Sequence, residues 1–255
     1  MQKPFLEHLM ELRLRLIYAL LALCVSIAVC YPLAPDIFKF LCKPLWQAMG
    51  EEAGRRLIYT GLTEAFLTYL KLAFFGGFIL ALPIILWQVW LFVGPGLYRH
   101  EKTLIWPFLI ASPLLFFMGA SLAYYVVCPW AWQFFLSFEM PVTIDGLSLQ
   151  LEARMSEYLS LIIKLILAFG LCFQLPLLIL GFASLGILSL DGLKRKRKYA
   201  FLIIVVVSAI ITPPDIISPL SLIIPLYTLY EISIGLLKIV LRRKGSHHVR
   251  YQMDS

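Results

Sequence analysis

Two carboxylates stand out against a basic background. Glu11 lies in Phe5-Leu6-Glu7-His8-Leu9-Met10-Glu11-Leu12-Arg13-Leu14-Arg15, and Glu101 falls at the end of the turn Gly94-Pro95-Gly96-Leu97-Tyr98-Arg99-His100-Glu101-Lys102. At about 100° per residue, Phe5, Leu9, Leu12 and Leu16 share one helical face, while His8, Glu11 and Arg15 share another, the pattern of an interfacial helix. Each acid has a plain explanation. Glu11 can form an exposed i,i+4 pair with Arg15, worth about a few tenths of a kcal/mol. Glu101 can be a first-turn acid favoured by the dipole of the next helix. Taken together, beside Phe92 and Tyr98, they form a pair suited to guanidinium groups, because arginine makes planar, bidentate bonds to carboxylates that lysine cannot reproduce.

Other chemistry lacks its residues. The four histidines are His8, His100, His247 and His248, with no HExxH zinc site and no CxxC pair. None lies inside an apolar run to activate a serine. No phosphate-binding glycine fingerprint is present, and Phe75-Gly76-Gly77 reads as close helix packing. No cofactor or metal is expected, and catalysis is not.

The elements that must position Glu11 and Glu101 follow from composition. The 255 residues are 61% hydrophobic and 15% charged, against about 45–50% and about 25% in soluble proteins. So few charges cannot cover a water-soluble surface, which excludes a soluble enzyme, a disordered chain and a secreted disulfide scaffold. Charge-free runs at Leu16–Ala34, Leu72–Val93, Thr103–Phe138 and Leu165–Leu190 each hold a helix of the roughly 20 apolar residues that cross a bilayer. Cys128-Pro129 is expected to end the third helix before a surface segment. Ala200–Ile211 and Ile216–Tyr230, joined by Thr212-Pro213-Pro214-Asp215, are shorter, so they are either two further spans or a re-entrant hairpin. The expectation is an all-α membrane protein of one integral domain over residues 1–255. Its six transmembrane helices lie near residues 16–34, 70–93, 104–127, 158–185, 199–212 and 216–238, with a tail at 239–255.

Basic residues set the orientation. Of the 22 Lys and Arg, 15 fall on the side of the N-terminus, the second and fourth loops and the tail, and 5 on the other; Lys71 and Lys164 lie at or inside spans. Both termini are therefore expected in the cytoplasm, and the excess charge calls for no nucleic acid. The first apolar run follows two glutamates and lacks a small-residue cleavage site, so it reads as a span and not as a cleavable signal peptide. On the outer side, Ile37, Phe38, Phe40, Leu41, Leu45 and Trp46 suggest an interfacial helix. Cys24, Cys30 and Cys172 read as packing residues. Cys42 and Cys128 fall on or near the outer side, where a disulfide could form although no spacing demands one. Prolines 83, 107, 113, 176, 219 and 225 recur within the spans and point to a concave, curved bundle.

With these pieces in order, the sequence resembles the TatC family, the multispanning receptor of the twin-arginine protein translocase. The resemblance runs from about His8 to Leu237 and rests on separated motifs. These are His8-Leu9-Met10-Glu11-Leu12-Arg13, Leu82-Pro83-Ile84-Ile85-Leu86-Trp87-Gln88-Val89-Trp90, Pro95 to Glu101, Ala123-Tyr124-Tyr125-Val126-Val127, Lys196-Arg197-Lys198-Tyr199 and Thr212-Pro213-Pro214-Asp215. It implies a bacterial cytoplasmic (inner) membrane receptor that binds the twin-arginine signal peptides of folded precursors and organises their export on the proton-motive force. The implied partners are single-span subunits of the TatA/TatB type in a homo- and hetero-oligomer. Glu11 and Glu101 match the family's signal-peptide positions, with His8, Arg13, Phe92 and Arg99 around them. Pro44, Tyr124 and Asp215 match outer-side positions that matter in the family. Packing or turn formation explains Pro44 and Tyr124 equally well, and Asp215 can cap the sixth helix.

Gln174 departs from the pattern, standing where many relatives carry Glu. An amide cannot titrate, so a polar contact to a partner helix or a passing chain is expected there. Glu231 either snorkels to the cytoplasmic interface or pairs with a subunit. The alternative reading, a proton- or solute-coupled secondary transporter, would need repeats and a titratable midplane acid, and neither is visible.

Overall fold

Without water in the bilayer core, each apolar run must satisfy its backbone internally, and helices do so segment by segment. The computed structural model describes residues 3–50, 57–93, 105–138, 140–144, 147–149, 152–184, 186–212 and 217–253. Helix α1 spans Lys3–Cys30, α2 Ala34–Met49, α3 Glu64–Val93 and α4 Ile105–Leu122. A π-helical turn, Ala123–Val127, leads into α5, Cys128–Leu136. A small antiparallel hairpin follows, β1 (Met140–Ile144) with β2 (Leu147–Leu149), then α6 (Met155–Cys172) and α7 (Leu175–Ser184). The chain continues with α8 (Leu190–Arg195), α9 (Arg197–Ile211) and α10 (Ile217–Met253). Apart from this hairpin, which departs from the all-α expectation, the described residues form helices and their connections.

Five stretches among the described residues are long and apolar enough to cross a membrane: Leu9–Cys30, Glu64–Phe92, Trp106–Leu136, Met155–Ser184 and Pro219–Ile239. The region expected to hold the fifth of six spans is α9, whose 15 residues cover about 22 Å at about 1.5 Å per residue.

The end expected for the third span does not occur. The helix continues past Cys128-Pro129 to Leu136. Through the π-helical turn the Cys128 N–H donates to the Ala123 carbonyl, five residues back. Pro129 therefore enters at the start of the next α-helical turn, where its missing donor is tolerated. Pro176 acts as expected of a breaker. The fourth stretch turns at Phe173-Gln174, and the Gln174 carbonyl accepts from both Leu177 and Leu178 N–H at 3.0 Å.

Close approaches fix the packing. A Cβ on Gly77 would lie 2.6–2.7 Å from Ile27, backbone included, and one on Gly76 would lie 3.3 Å from the Cys30 sulfur. As α3 rises from 76 to 77 the facing residue on α1 falls from 30 to 27, so the two helices run antiparallel. Where α4 crosses α6, Gly119 meets the Phe169 carbonyl and Gly170 the Phe116 ring, and Phe116 and Phe169 are both fully buried. The main core gathers these rings with Leu159, Ile162, Val127 and Trp132 and extends beneath α2 through Leu41, Cys42 and Leu45.

Candidate functional site

Glu11 lies on α1, one turn before Arg15. The Arg15 guanidinium donates through Nε at 3.1 Å and Nη2 at 2.5 Å to the same oxygen, Glu11 Oε1. The local i,i+4 pair is therefore realised, and an incoming guanidinium would share the carboxylate with Arg15. Arg13 points to the surface.

The antiparallel register places Glu11 along α3. Ile27 sits beside Gly77; sixteen residues back on α1 is Glu11 and sixteen forward on α3 is Val93. The carboxylate thus reaches the level of half-buried Phe92, at the end of α3 from which the Glu101 turn departs. Glu101, Arg99 and Asp215, and the side chain of His8, lie outside the described residues.

Two aromatic pairs brace the helices on either side of that turn. Trp90 of α3 stacks on Phe108 of α4 with centroids 4.7 Å apart, in a small buried cluster with Leu109 and Leu177. Trp87 meets Trp106 edge-on at 6.1 Å. These four rings hold the ends of α3 and α4 together. The sequence does not show this role for Trp87 and Trp90, because a tryptophan in an apolar run carries no local sign of its partner.

On the opposite side, two of the named positions meet through one carbonyl. Pro44 lies inside α2 and has no N–H for the Phe40 carbonyl four residues back. The Tyr124 hydroxyl donates to that carbonyl at 2.6 Å, and its ring stacks on Phe40 at 4.5 Å and 5°. The Tyr158 hydroxyl donates to the next carbonyl, that of Leu41, at 2.6 Å. Pro44 and Tyr124 therefore tie α2 down onto the helices beneath it. Cys42 and Cys128 are buried free thiols, and burial pushes Cys42 up to about 12.

Gln174 also has a partner within the chain. Ser112 Oγ donates to its Oε1 at 2.7 Å, and its Nε2 donates to the Ser112 carbonyl at 2.8 Å. With Gln174 at 7% exposure and Ser112 at 0%, the pair is a buried clamp between α4 and the α6–α7 turn. Glu231 resolves similarly: it accepts from Arg197 Nη2 at 2.8 Å, while neighbouring Tyr230 donates to the Leu193 carbonyl at 2.9 Å. The two contacts fasten α10 to the start of α9 and to α8. Pro83 is half-buried in a continuous α3. Among the described residues no group of three His, Cys, Asp or Glu could hold a metal.

Comparison with known proteins bears on what this arrangement serves. Residues 7–225 match the family model described as Sec-independent protein translocase protein (TatC). Proteins named Sec-independent protein translocase protein TatC are similar over most of the chain. That of Magnetococcus marinus is 48% identical over 91% of this chain and 82% of its own length. That of Rickettsia prowazekii is 46% identical over 98% of each, and that of Escherichia coli K12 is 37% identical over 91% of this chain and 87% of its own. A crystal structure of the twin-arginine translocase receptor TatC superposes with a TM-score of 0.76 at 35% identity, covering 90% of this chain and 98% of that one.

Proposed function

The chain belongs to the TatC family of Sec-independent protein translocase proteins, and from that membership we propose how it works as the twin-arginine signal-peptide receptor of a bacterial inner membrane. Glu11 and Glu101 capture the two arginines, and Phe92 with the apolar face of α1 holds the hydrophobic part of the signal. His8, Arg13 and Arg99 surround the carboxylates and disfavour a cation that lacks the forked geometry of arginine. The observation that carries this reading is the α1–α3 register, which brings Glu11 and Phe92 to the end of α3 where the Glu101 turn begins.

The work is binding, not catalysis. The chain crosses the membrane six times with both termini in the cytoplasm, α9 making the fifth crossing with its short apolar core matched by local thinning or by partner helices. The basic bias of one side supports that orientation. Proline-bent spans form a concave wall, and the exposed apolar faces of α9 and α10, including Leu202, Ile203 and Ile224, receive single-span TatA/TatB-type subunits in a homo- and hetero-oligomer. Asp215 caps the last helix. Gln174 shapes the concave wall through Ser112; it supplies no proton site, and the secondary-transporter alternative gains nothing from the structure.

The test is charge reversal. Glu101→Lys abolishes binding of a twin-arginine precursor while the protein still inserts and purifies as a stable species. Precursor binding at the wild-type level by inserted Glu101→Lys protein would overturn the reading.

A further inference from the structure

Lys71 and Lys164 carry charge into apolar helices and play no part in signal capture. Lys71 lies about two turns into α3 and Lys164 about two and a half turns into α6. Both side chains are exposed, and a lysine near the end of a span extends its ammonium group to the headgroup region, where it meets anionic groups. Lys71 Nζ donates to Ser160 Oγ at 2.7 Å, and Lys164, one turn beyond Ser160, reaches the Ile210 carbonyl at 3.5 Å. Among the described residues neither lysine has a carboxylate within ion-pair distance.

Two acids that neighbour these lysines among the described residues are already engaged. Glu64 accepts from the Thr60 N–H at 2.9 Å and from Ser156 Oγ at 2.6 Å, and Glu157 pairs with Arg154 at 3.1 Å. Lys71 lines an open cleft of about 620 Å³ with Glu64 and Arg154, and Lys164 lines a second of about 380 Å³ that meets the first at Ser156. Leu67, Leu70 and Phe74 line the first and Leu161 the second.

Depth identifies the kind of anion. The register that pairs Ile27 with Gly77 sets Cys30, the last residue of α1, level with Phe74, so Lys71 lies about one turn beyond the end of that helix, and Lys164 reaches the last turn of α9. Both ammonium groups thus sit where neighbouring spans end, at headgroup level. A tetrahedral phosphate needs no forked donor and suits two separated point charges. The apolar wall beside them continues into the bilayer, where a free phosphate has nothing to bury.

We propose that this cleft binds one anionic phospholipid of the outer leaflet, with Lys71 and Lys164 on its headgroup phosphate and an acyl chain along Leu67, Leu70 and Phe74. The proposal rests on the membrane placement given above. The test uses full-length protein in detergent, titrated with phosphatidylglycerol or phosphatidylcholine and read by native mass spectrometry. Wild type retains one phosphatidylglycerol in preference to phosphatidylcholine, and millimolar inorganic phosphate does not displace it. Lys71→Gln with Lys164→Gln weakens that lipid about thirtyfold, while Lys71→Arg with Lys164→Arg keeps it. Equal retention of the two lipids by wild type, or displacement by inorganic phosphate, would overturn the proposal without recourse to any variant. So would undiminished retention by the glutamine variant. Twin-arginine peptide binding, measured on the same samples, is unchanged by the lysine substitutions. Its dependence on Glu11 and Glu101 tests the receptor reading separately.

Discussion

Losing the N–H of Pro44 leaves the Phe40 carbonyl inside α2 without its helical donor, and Tyr124 supplies a replacement from a residue 84 positions away. Removing the hydroxyl in Tyr124→Phe is expected to destabilise the protein by about 0.5–1.5 kcal/mol, the net contribution of a hydrogen bond to a part-buried carbonyl. In a Pro44→Ala background the helix supplies its own donor, so the same substitution should be milder. Denaturation of the single and double variants in detergent measures that coupling, and an unchanged penalty would refute it. The Ser112–Gln174 clamp obeys the same asymmetry. Ser112→Ala alone should lower stability by about 1–3 kcal/mol, and adding Gln174→Leu should recover part of the loss, because both polar partners are then gone. At this scale the sequence shows which residues are unusual but not whom they meet. Pro44, Tyr124 and Gln174 could each be singled out from the chain, whereas the carbonyl joining the first two and the serine holding the third belong to tertiary contacts.

Helices α1 and α3 carry the proposed site, and Gly77 sets their spacing. A single methyl there would collide with Ile27 at 2.6–2.7 Å, so Gly77→Ala should cost about 1–3 kcal/mol as overpacking and weaken peptide binding by moving Glu11 away from Phe92. Gly235→Ala in α10, where an added Cβ meets nothing within 4 Å, is the control and should leave melting and binding unchanged. A Gly77→Ala protein with wild-type melting and peptide affinity would contradict the register argument. The glycines were legible as close-packing positions and the long apolar runs as helices, because lipid leaves the backbone few alternatives. The continuation through Pro129 was not legible, since the π-helical turn that accommodates it depends on which carbonyl the Cys128 N–H selects. The hairpin at Met140–Leu149 was legible and went unread: in the sequence Asp145-Gly146 separates Val142-Thr143-Ile144 from Leu147-Ser148-Leu149, a strong short-range hairpin signal. The reading of Gly94-Pro95-Gly96 as a turn lies outside the described residues, and the four rings that join the ends of α3 and α4 were not legible.

For the whole molecule, the uneven distribution of Lys and Arg is the feature from which the proposed orientation follows. Leu62→Cys, at a fully exposed position (100%) between α2 and α3, should react with a membrane-impermeant maleimide from the outer side. Lys196→Cys, between α8 and α9, should react only after the inner side is opened. Native Cys42, buried and pushed up to about 12, stays protonated and silent in this assay. Labelling from the reverse sides would invert the topology and take Glu11 and Glu101 away from the precursors. The central claim remains that these two scarce acids read arginine on a basic face. Its most direct measurement is the affinity of purified, membrane-inserted protein for a twin-arginine signal peptide, wild type against Glu11→Ala with Glu101→Ala, with a twin-lysine peptide alongside. The account predicts that the double variant loses the twin-arginine peptide at least tenfold while staying inserted and folded, and that wild type discriminates against twin-lysine. Twin-arginine binding by the double variant at wild-type affinity would contradict it.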